Sequence, residues 1–243
     1  MSFCITLYDR GYRARRGRST GMTPAATSRT MRPMRRARKL LWTLALAGTI
    51  FAAAPGAALA SGTILVFGDS LASAYGIAGR RGWVALLEER LKRERLDYRV
   101  VNASISGETT RGGLSRFAKV LAEHKPALVI LELGGNDGLR GLPVAEMKNN
   151  LGAMIGEAQK AGARVLLVGT RMPPNYGPEY TRAFEAAFAE LAKRHRVPLA
   201  PDLAAGIGER LDLFQPDRIH PNEAAQPALL DNVWRALRPL LAR

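Results

Sequence analysis

The chain has 243 residues, a formal net charge of +15 at pH 7 and one cysteine, Cys4. This length predicts one domain or a small pair, and a domain without further cysteines has no disulfide, thiolate nucleophile or cysteine-ligated metal. The charge is uneven, since residues 1–60 carry eleven basic residues and one acid, which leaves a net charge of +5 for residues 61–243. Nucleic-acid binding is therefore disfavoured, because no basic helix or aromatic-interleaved basic patch follows residue 60.

A targeting pattern precedes the domain. Residues 35–39 form a basic segment, residues 40–54 an apolar segment and residues 58–60 a small-residue cleavage site. Together they predict a secretory signal peptide. The apolar segment is shorter than the roughly 20 residues of a membrane span, so an uncleaved anchor is the less favoured alternative.

This pattern divides the chain at Ala60. We expect residues 1–60 to be an N-terminal extension and signal peptide, and residues 61–243 to be the mature domain, exported to the periplasm or secreted. Met31 and Met34 are alternative start sites to Met1, because the first thirty residues show no apolar periodicity.

The first strand of the domain ends at a serine. Residues 64–67 are an aliphatic run that predicts a strand buried on both faces, and Gly68 and Asp69 then break the run and place Ser70 in a turn. Ligand crevices of open α/β sheets lie at the carboxyl ends of strands, so Ser70 is a candidate nucleophile. The alternative is an ordinary turn in which Ser70 caps the next helix.

Strands and helices alternate along the rest of the chain. Apolar residues at helical spacing predict helices over residues 83–94, 114–124, 144–161, 180–196 and 223–240. Short aliphatic runs predict strands over residues 98–101, 127–133, 163–169 and 197–200. A glycine turn over residues 134–138 is predicted directly after the strand 127–133. The alternation predicts one α/β domain in three layers, α/β/α, with about five parallel strands.

Four loops at the predicted strand ends carry polar residues suited to acyl transfer. A nucleophilic serine needs a base, a group that orients the base, and donors for the developing oxyanion. His220 is the candidate base and Asp217, three residues earlier, the candidate orienting acid. The backbone N–H groups of Ser70 and Gly107 and the amide of Asn136 are candidate oxyanion donors. Alternatively, Asp217 and His220 are a cap and a turn residue, and Gly107 and Asn136 are turn formers.

A proline-rich loop over residues 171–178 follows the fourth strand. Met172, Pro173, Asn175 and Tyr176 are candidate substrate-binding residues, because the prolines, Met172 and Tyr176 could form an apolar wall for an acyl chain or an aryl group. Whether Arg111, Arg140 or Arg171 contacts an anionic head group is open.

These blocks resemble the SGNH (GDSL) hydrolases over residues 62–240. The resemblance rests on Gly-Asp-Ser-Leu at 68–71, Gly107 within 104–109, Gly-Gly-Asn-Asp at 134–137 and Asp-x-x-His at 217–220. The chain is most similar to the bacterial thioesterase I, arylesterase and lysophospholipase subgroup, including its substrate-side loop at 172–177. Glu108 departs from the family pattern, in which many members have aspartate.

The resemblance implies a flavodoxin-like SGNH fold and a serine esterase. Ser70, His220 and Asp217 would be the catalytic triad, and Ser70, Gly107 and Asn136 the oxyanion hole. We expect a small-molecule acyl ester or thioester substrate, such as an aryl ester, an acyl-CoA or a lysophospholipid. We expect no metal, cofactor, nucleic-acid partner or stable membrane span in the mature form, and a monomer or weak oligomer. The alternatives are a carbohydrate O-acetyl esterase and a non-catalytic lipid- or glycan-binding module.

Overall fold

The computed structural model describes residues 62–78 and 81–241, apart from the side chain of Pro174. Five parallel strands form one sheet in the order β2-β1-β3-β4-β5. They are β1 (Gly62–Gly68), β2 (Tyr98–Asn102), β3 (Leu128–Glu132), β4 (Arg164–Val168) and β5 (Leu199–Ala200). The predicted α/β fold with five parallel strands is confirmed. The predicted signal peptide lies outside the described residues.

Helices cover both faces of this sheet. They are α1 (Trp83–Arg93), α2 (Thr110–His124), α3 (Gly135–Leu139), α4 (Val144–Lys160), α5 (Pro178–His195) and α6 (Gln226–Leu241). Short 3₁₀ turns occupy Pro174–Tyr176, Leu211–Leu213 and Glu223–Ala225. No helix within the described residues is both long and apolar enough to cross a bilayer.

The alternating side chains of the strands divide the core into two halves. Ile64 and Val66 of β1 face α1 and α6. Leu65 and Phe67 face α2, α4 and α5, where Phe67 contacts Phe117 edge to face at a ring separation of 4.8 Å. Burying an aliphatic or aromatic side chain of this kind contributes about 1.5–3 kcal/mol, so both faces anchor β1 and the turn that follows it.

Two elements differ most from the predictions, and β5 and α6 also begin later than predicted, at Leu199 and Gln226. Helix α2 begins at Thr110 rather than Leu114, because Thr109 Oγ1 caps it by accepting the Gly112 N–H at 3.3 Å. The apolar pattern misses this first turn because it contains Gly113, where a Cβ would lie 2.7 Å from Leu133 Cδ1. The predicted glycine turn after β3 is instead the short helix α3, which follows Gly134 at φ +117°.

The strand order places the functional loops together. The chain crosses from β2 over β1 to β3, so the connections leave β1 and β3 on opposite faces of the sheet. Crevices form at such a switch point, outside the carboxyl ends of the two strands. Ser70 follows β1 and Asn136 lies just after β3, so both border this crevice.

Candidate active site

Ser70 lies in a tight turn immediately after β1. The turn is closed by backbone hydrogen bonds from Ser73 N to Asp69 O at 2.9 Å and from Tyr75 N to Ser70 O at 3.1 Å. The neighbouring Leu71 N–H is bonded to Asp69 Oδ1 at 3.1 Å. Because β1 is buried on both faces, this turn holds the Ser70 hydroxyl at a fixed position at the sheet edge.

His220 and Asp217 lie on an irregular segment between β5 and α6. The segment folds back on itself through a bridge between Phe214 and Pro221 and a hydrogen bond from Gln215 N to His220 O at 2.8 Å. We call residues 214–221 the histidine hairpin. Its tip includes Arg218 at φ +59°, a conformation that non-glycine residues adopt mainly in tight turns.

The histidine hairpin brings His220 to Ser70. The ring Nε2 lies 2.9 Å from Ser70 Oγ, and Nδ1 lies 2.6 Å from Asp217 Oδ2. An ionised Asp217 accepts a hydrogen bond from Nδ1–H, which leaves Nε2 free to accept a hydrogen bond from the Ser70 hydroxyl. The three side chains predicted from the sequence as a triad are thus in hydrogen-bonding contact.

Asp217 is held as an anion by its own turn. Its Oδ1 accepts the N–H groups of Ile219 at 2.9 Å and His220 at 3.0 Å. Partial burial raises the pKa of this carboxyl, but the backbone N–H and ring of His220, together with the Ile219 N–H, outweigh that effect and hold the pKa at about 2. Asp217 is therefore charged throughout the neutral range.

The candidate oxyanion donors lie on the neighbouring loops. The loop after β2 runs beside β1 through hydrogen bonds from Ala103 N to Val66 O and from Ile105 N to Gly68 O. Gly107 on this loop has φ +78°, a region that glycine enters without a Cβ clash. Arg140 Nη2 donates to Gly107 O at 3.0 Å, which ties the loop to the end of α3.

The amide of Asn136 is fixed by two acceptors. Its Nδ2 donates to Asp69 Oδ2 and to Glu108 O, each at 3.1 Å. The Glu108 side chain is itself held by Arg116, whose guanidinium lies over the Phe67 ring at 4.0 Å. The Asn136 amide is thus oriented from both the β1 turn and the loop after β2.

The four candidate substrate-binding residues lie at different depths. Met172 is buried, with 7% of its surface exposed, and a Cβ on Gly138 would meet its sulfur at 2.3 Å. Pro173 and Asn175 are exposed and Tyr176 is half-buried. The Tyr176 hydroxyl donates to Leu139 O at 2.9 Å, so the loop is attached to α3 just beyond Asn136.

Exposed apolar side chains lie beside the triad. Tyr75 packs against the His220 ring with a centroid separation of 4.7 Å, and Ile219 is the residue before His220. Tyr75, Ile105 and Ile219 are each about half exposed, at 52%, 50% and 49%. They were not predicted from the sequence, where isolated apolar residues in polar loops give no periodic signal.

Two buried acids beside the site also escaped prediction. Asp69 and Glu132 are each 2% exposed, and the Asp69 N–H donates to Glu132 Oε2 at 3.4 Å. Burial raises the pKa of Asp69 to about 6, although Leu71 N–H and the Asn136 amide lower it. Burial and then the charge of Asp69 raise the pKa of Glu132 well above its usual range. An acid at the end of the apolar run 127–133 was the signal available in the sequence.

Among residues 62–78 and 81–241, no cluster of three or more His, Cys, Asp or Glu side chains is placed to hold a metal ion.

Comparison with known proteins identifies related chains. The model of the GDSL-like lipase/acylhydrolase family matches residues 66–227. The chain is 52% identical over 182 residues to esterase TesA of Pseudomonas aeruginosa, covering 75% of this chain and 90% of that protein. It is 40% identical over 184 residues to thioesterase 1/protease 1/lysophospholipase L1 of Escherichia coli, covering 76% and 87%. A crystal structure of TesA matches with a TM-score of 0.72 over 73% of this chain and 99% of that one.

Proposed function

The chain belongs to the GDSL-like lipase/acylhydrolase family and is a serine esterase, and we propose that Ser70 is its nucleophile, His220 its general base and Asp217 the acid that orients His220. The observation that carries this assignment is the continuous contact from Ser70 Oγ to His220 Nε2 at 2.9 Å and from His220 Nδ1 to Asp217 Oδ2 at 2.6 Å. Such a chain of contacts is the recurring requirement for an activated serine.

Acylation begins when Ser70 Oγ attacks the carbonyl carbon of the ester. The hydroxyl proton passes to His220 Nε2, and the resulting imidazolium is stabilised by the ionised Asp217. The carbonyl oxygen becomes an oxyanion that accepts hydrogen bonds from the N–H groups of Ser70 and Gly107 and from the Asn136 amide, whose second N–H leaves Glu108 O to reach the substrate. His220 then returns the proton to the leaving alcohol or thiol, the carbon–oxygen or carbon–sulfur bond breaks, and Ser70 remains as an acyl ester.

Deacylation repeats these steps with water. His220 removes a proton from a water molecule that attacks the acyl carbon, the same donors stabilise the second oxyanion, and Ser70 Oγ leaves with the proton from His220. The products are the carboxylic acid and free enzyme. Each step uses side-chain and backbone groups of this chain together with water.

The substrates that we propose are acyl esters and thioesters with an apolar acyl or aryl group. The half-exposed Tyr75, Ile105 and Ile219 supply apolar surface on the loops that carry the site, and Tyr75 contacts the His220 ring. The substrate-side loop, with Pro173, Asn175 and Tyr176, supplies a second contact region next to α3. The relatives named esterase and thioesterase 1/lysophospholipase L1 are consistent with this range of substrates.

A matched substrate panel tests the proposal. Initial rates of residues 61–243 would be measured on p-nitrophenyl acetate, butyrate, octanoate and palmitate, on palmitoyl-CoA, lysophosphatidylcholine and acetylated xylan, with Ser70→Ala as the blank. We expect Ser70→Ala to lose about 10⁴-fold or more in kcat and to lose labelling by a fluorophosphonate. Rates within tenfold of wild type in Ser70→Ala would overturn the assignment.

The panel also selects the substrate class. A preference for short or medium aryl esters indicates an arylesterase-type enzyme, and dominance of palmitoyl-CoA or lysophosphatidylcholine indicates a thioesterase or lysophospholipase. Activity confined to acetylated xylan would replace our substrate proposal with a carbohydrate O-acetyl esterase.

We also propose that the mature enzyme is exported. It is supported by the basic, apolar and small-residue segments before Ser61. The intact mass of protein recovered from the periplasm or medium should correspond to a chain that begins at Ser61. A mass that includes residues before Ser61 would contradict cleavage at this site.

A further inference from the structure

Two acidic side chains lie buried side by side under the proposed oxyanion hole. Gly68 of β1 is paired in register with Glu132 of β3, and Asp69 follows Gly68 directly. A Cβ on Gly68 would lie 2.6 Å from Glu132 Oε2, so the absence of a side chain there makes room for the Glu132 carboxyl. The mechanism proposed above uses neither acid.

The two carboxyls have unequal hydrogen bonding. Asp69 Oδ1 accepts the Leu71 N–H and Oδ2 accepts the Asn136 amide, both at 3.1 Å. Within the part of the chain that the structure describes, Glu132 accepts one long bond, from Asp69 N at 3.4 Å. Since hydrogen bonds to the charged form favour ionisation, the negative charge of the pair belongs on Asp69.

The charged groups that face the two acids also bear on which of them carries the negative charge. Asp69 is approached by His220 of the histidine hairpin, which favours its ionised form, and by Asp137 of α3, which opposes it. Glu132 faces Asp69 itself, and a second charge beside an ionised Asp69 would be weakly screened in this buried position. One proton on Glu132 removes that repulsion.

We propose that Asp69 and Glu132 form an acid pair in which Glu132 holds a proton and Asp69 is ionised, and that the Asp69 carboxylate is the positioning group for the Asn136 amide and for the His220 imidazolium. This inference rests on the proposed oxyanion role of Asn136. Asp69 fixes the amide through Oδ2, and its charge favours the imidazolium that forms when Ser70 loses its proton. Neutral Glu132 accepts a hydrogen bond from the Asp69 N–H without placing a second negative charge beside the Asp69 carboxylate.

Amide substitutions of the two acids distinguish them. Glutamine has the shape of a protonated glutamate, so Glu132→Gln should keep kcat at pH 8 within about threefold of wild type. Asp69→Asn keeps the shape and removes the charge, so it should lower kcat by about tenfold or more with little change in KM, because charge-assisted hydrogen bonds are the stronger class. Glu185→Gln, at an exposed position on α5, is the matched control for removing a glutamate charge.

The pH dependence of the urea unfolding midpoint tests whether Glu132 is protonated in the folded state. A Glu132 protonated in the folded state and ionised in the unfolded state makes the folded state bind more protons, so stability should fall as pH rises above about 4.5. The urea midpoint of wild type should therefore decrease from pH 5 to pH 8, and Glu132→Gln should decrease less. An equal slope in both proteins would overturn the proposal.

Carbon-13 NMR of the carboxyl groups measures the pair directly. The titration would be recorded on Ser70→Ala protein, with Glu132→Gln and Asp69→Asn providing the assignments. We expect Asp69 to titrate near pH 6 and Glu132 to remain protonated across the neutral range. An ionised Glu132 at pH 7, or equal kcat losses in the two amide variants, would overturn the proposal.

Failure of the proposed acid pair and failure of the proposed nucleophile would give different results. Full activity in Ser70→Ala would remove the proposed nucleophile, whereas an ionised Glu132 in an enzyme inactivated by Ser70→Ala would remove only the acid pair.

Discussion

Asp69 and Asp217 both lie beside the contact between Ser70 and His220, but their surroundings differ. Asp69 ends a strand that is buried on both faces and is 2% exposed, whereas the Asp217 side chain is 39% exposed on the histidine hairpin. Burial raises the pKa of Asp69 to about 6, and the N–H groups of its turn help hold the pKa of Asp217 at about 2. One residue type thus has two opposite pKa shifts, because packing governs one environment and local turn bonds govern the other.

The elements that carry the two acids are also held in place differently. The turn after β1, α3 and the loop after β2 are joined through Asn136 and rest on the packed sheet, whereas the histidine hairpin is held mainly by its own hydrogen bonds. A substitution at Asn136 removes hydrogen bonds between these buried elements, and water cannot replace those bonds. Changes in the hairpin leave groups that water can partly satisfy, so we expect smaller effects there.

The largest of the three effects should come from Asn136→Ala. Loss of an oxyanion donor costs about 10²–10³-fold in kcat, and KM should change little because the interaction forms in the transition state. Steady-state kinetics on p-nitrophenyl butyrate would measure this loss. Asn149→Ala, at an exposed position on α4, is the control, and a loss below about fivefold in Asn136→Ala would remove Asn136 from the oxyanion hole.

Asp217→Asn should have an intermediate effect, about 10- to 10²-fold in kcat. The amide cannot stabilise the imidazolium by charge, but the exposed position lets water screen part of the deficit. The folded pKa of about 2 lies below the ordinary 3.8, so the stabilisation from Asp217 is fully present above pH 4 and is lost as pH falls toward 2. Asp217 therefore stays charged from pH 5 to pH 9.

Steady-state kinetics at pH 8 would measure the loss in kcat, and carbon-13 NMR of the Asp217 carboxyl would check its charge, with Asp217→Asn providing the assignment. We expect this resonance to stay at its ionised position from pH 9 to pH 5. A titration midpoint between pH 5 and pH 7 would show that Asp217 becomes protonated in that range, and the contrast between the two aspartates would be lost.

The sequence predicted those features that depend on local pattern. Aliphatic runs such as residues 64–67 indicated strands buried on both faces, and the confirmed parallel sheet places their carboxyl ends at one edge. The start of α2 at Thr110 could not be predicted from apolar spacing, because that turn is stabilised by a cap and by the close packing of Gly113.

The electrostatics of the site were also beyond sequence pattern. Nothing in the spacing of Asp69 and Glu132, 63 residues apart, indicates that β1 and β3 pair in the register that brings the acids together. The contact of Tyr75 with His220 likewise depends on how the histidine hairpin folds back, which is set by hydrogen bonds between distant segments. The sequence pattern indicated Ser70, Asp217 and His220 as candidates, but it did not indicate the contacts that hold them in place.

The smallest effect should come from Gln215→Ala, which loosens the hairpin without touching the triad. Gln215 Nε2 donates to Tyr75 O at 2.8 Å and to Pro221 O at 3.3 Å, so it links the hairpin to the turn after Ser70. Loss of these bonds should lower the free energy of unfolding by about 1 kcal/mol and kcat by about two- to fivefold. Urea unfolding and steady-state kinetics would measure both, with exposed Glu209→Ala as the control. A loss near 10²-fold in kcat would contradict this prediction, because it would mean that the position of His220 depends on the Gln215 hydrogen bonds as strongly as catalysis depends on Asn136.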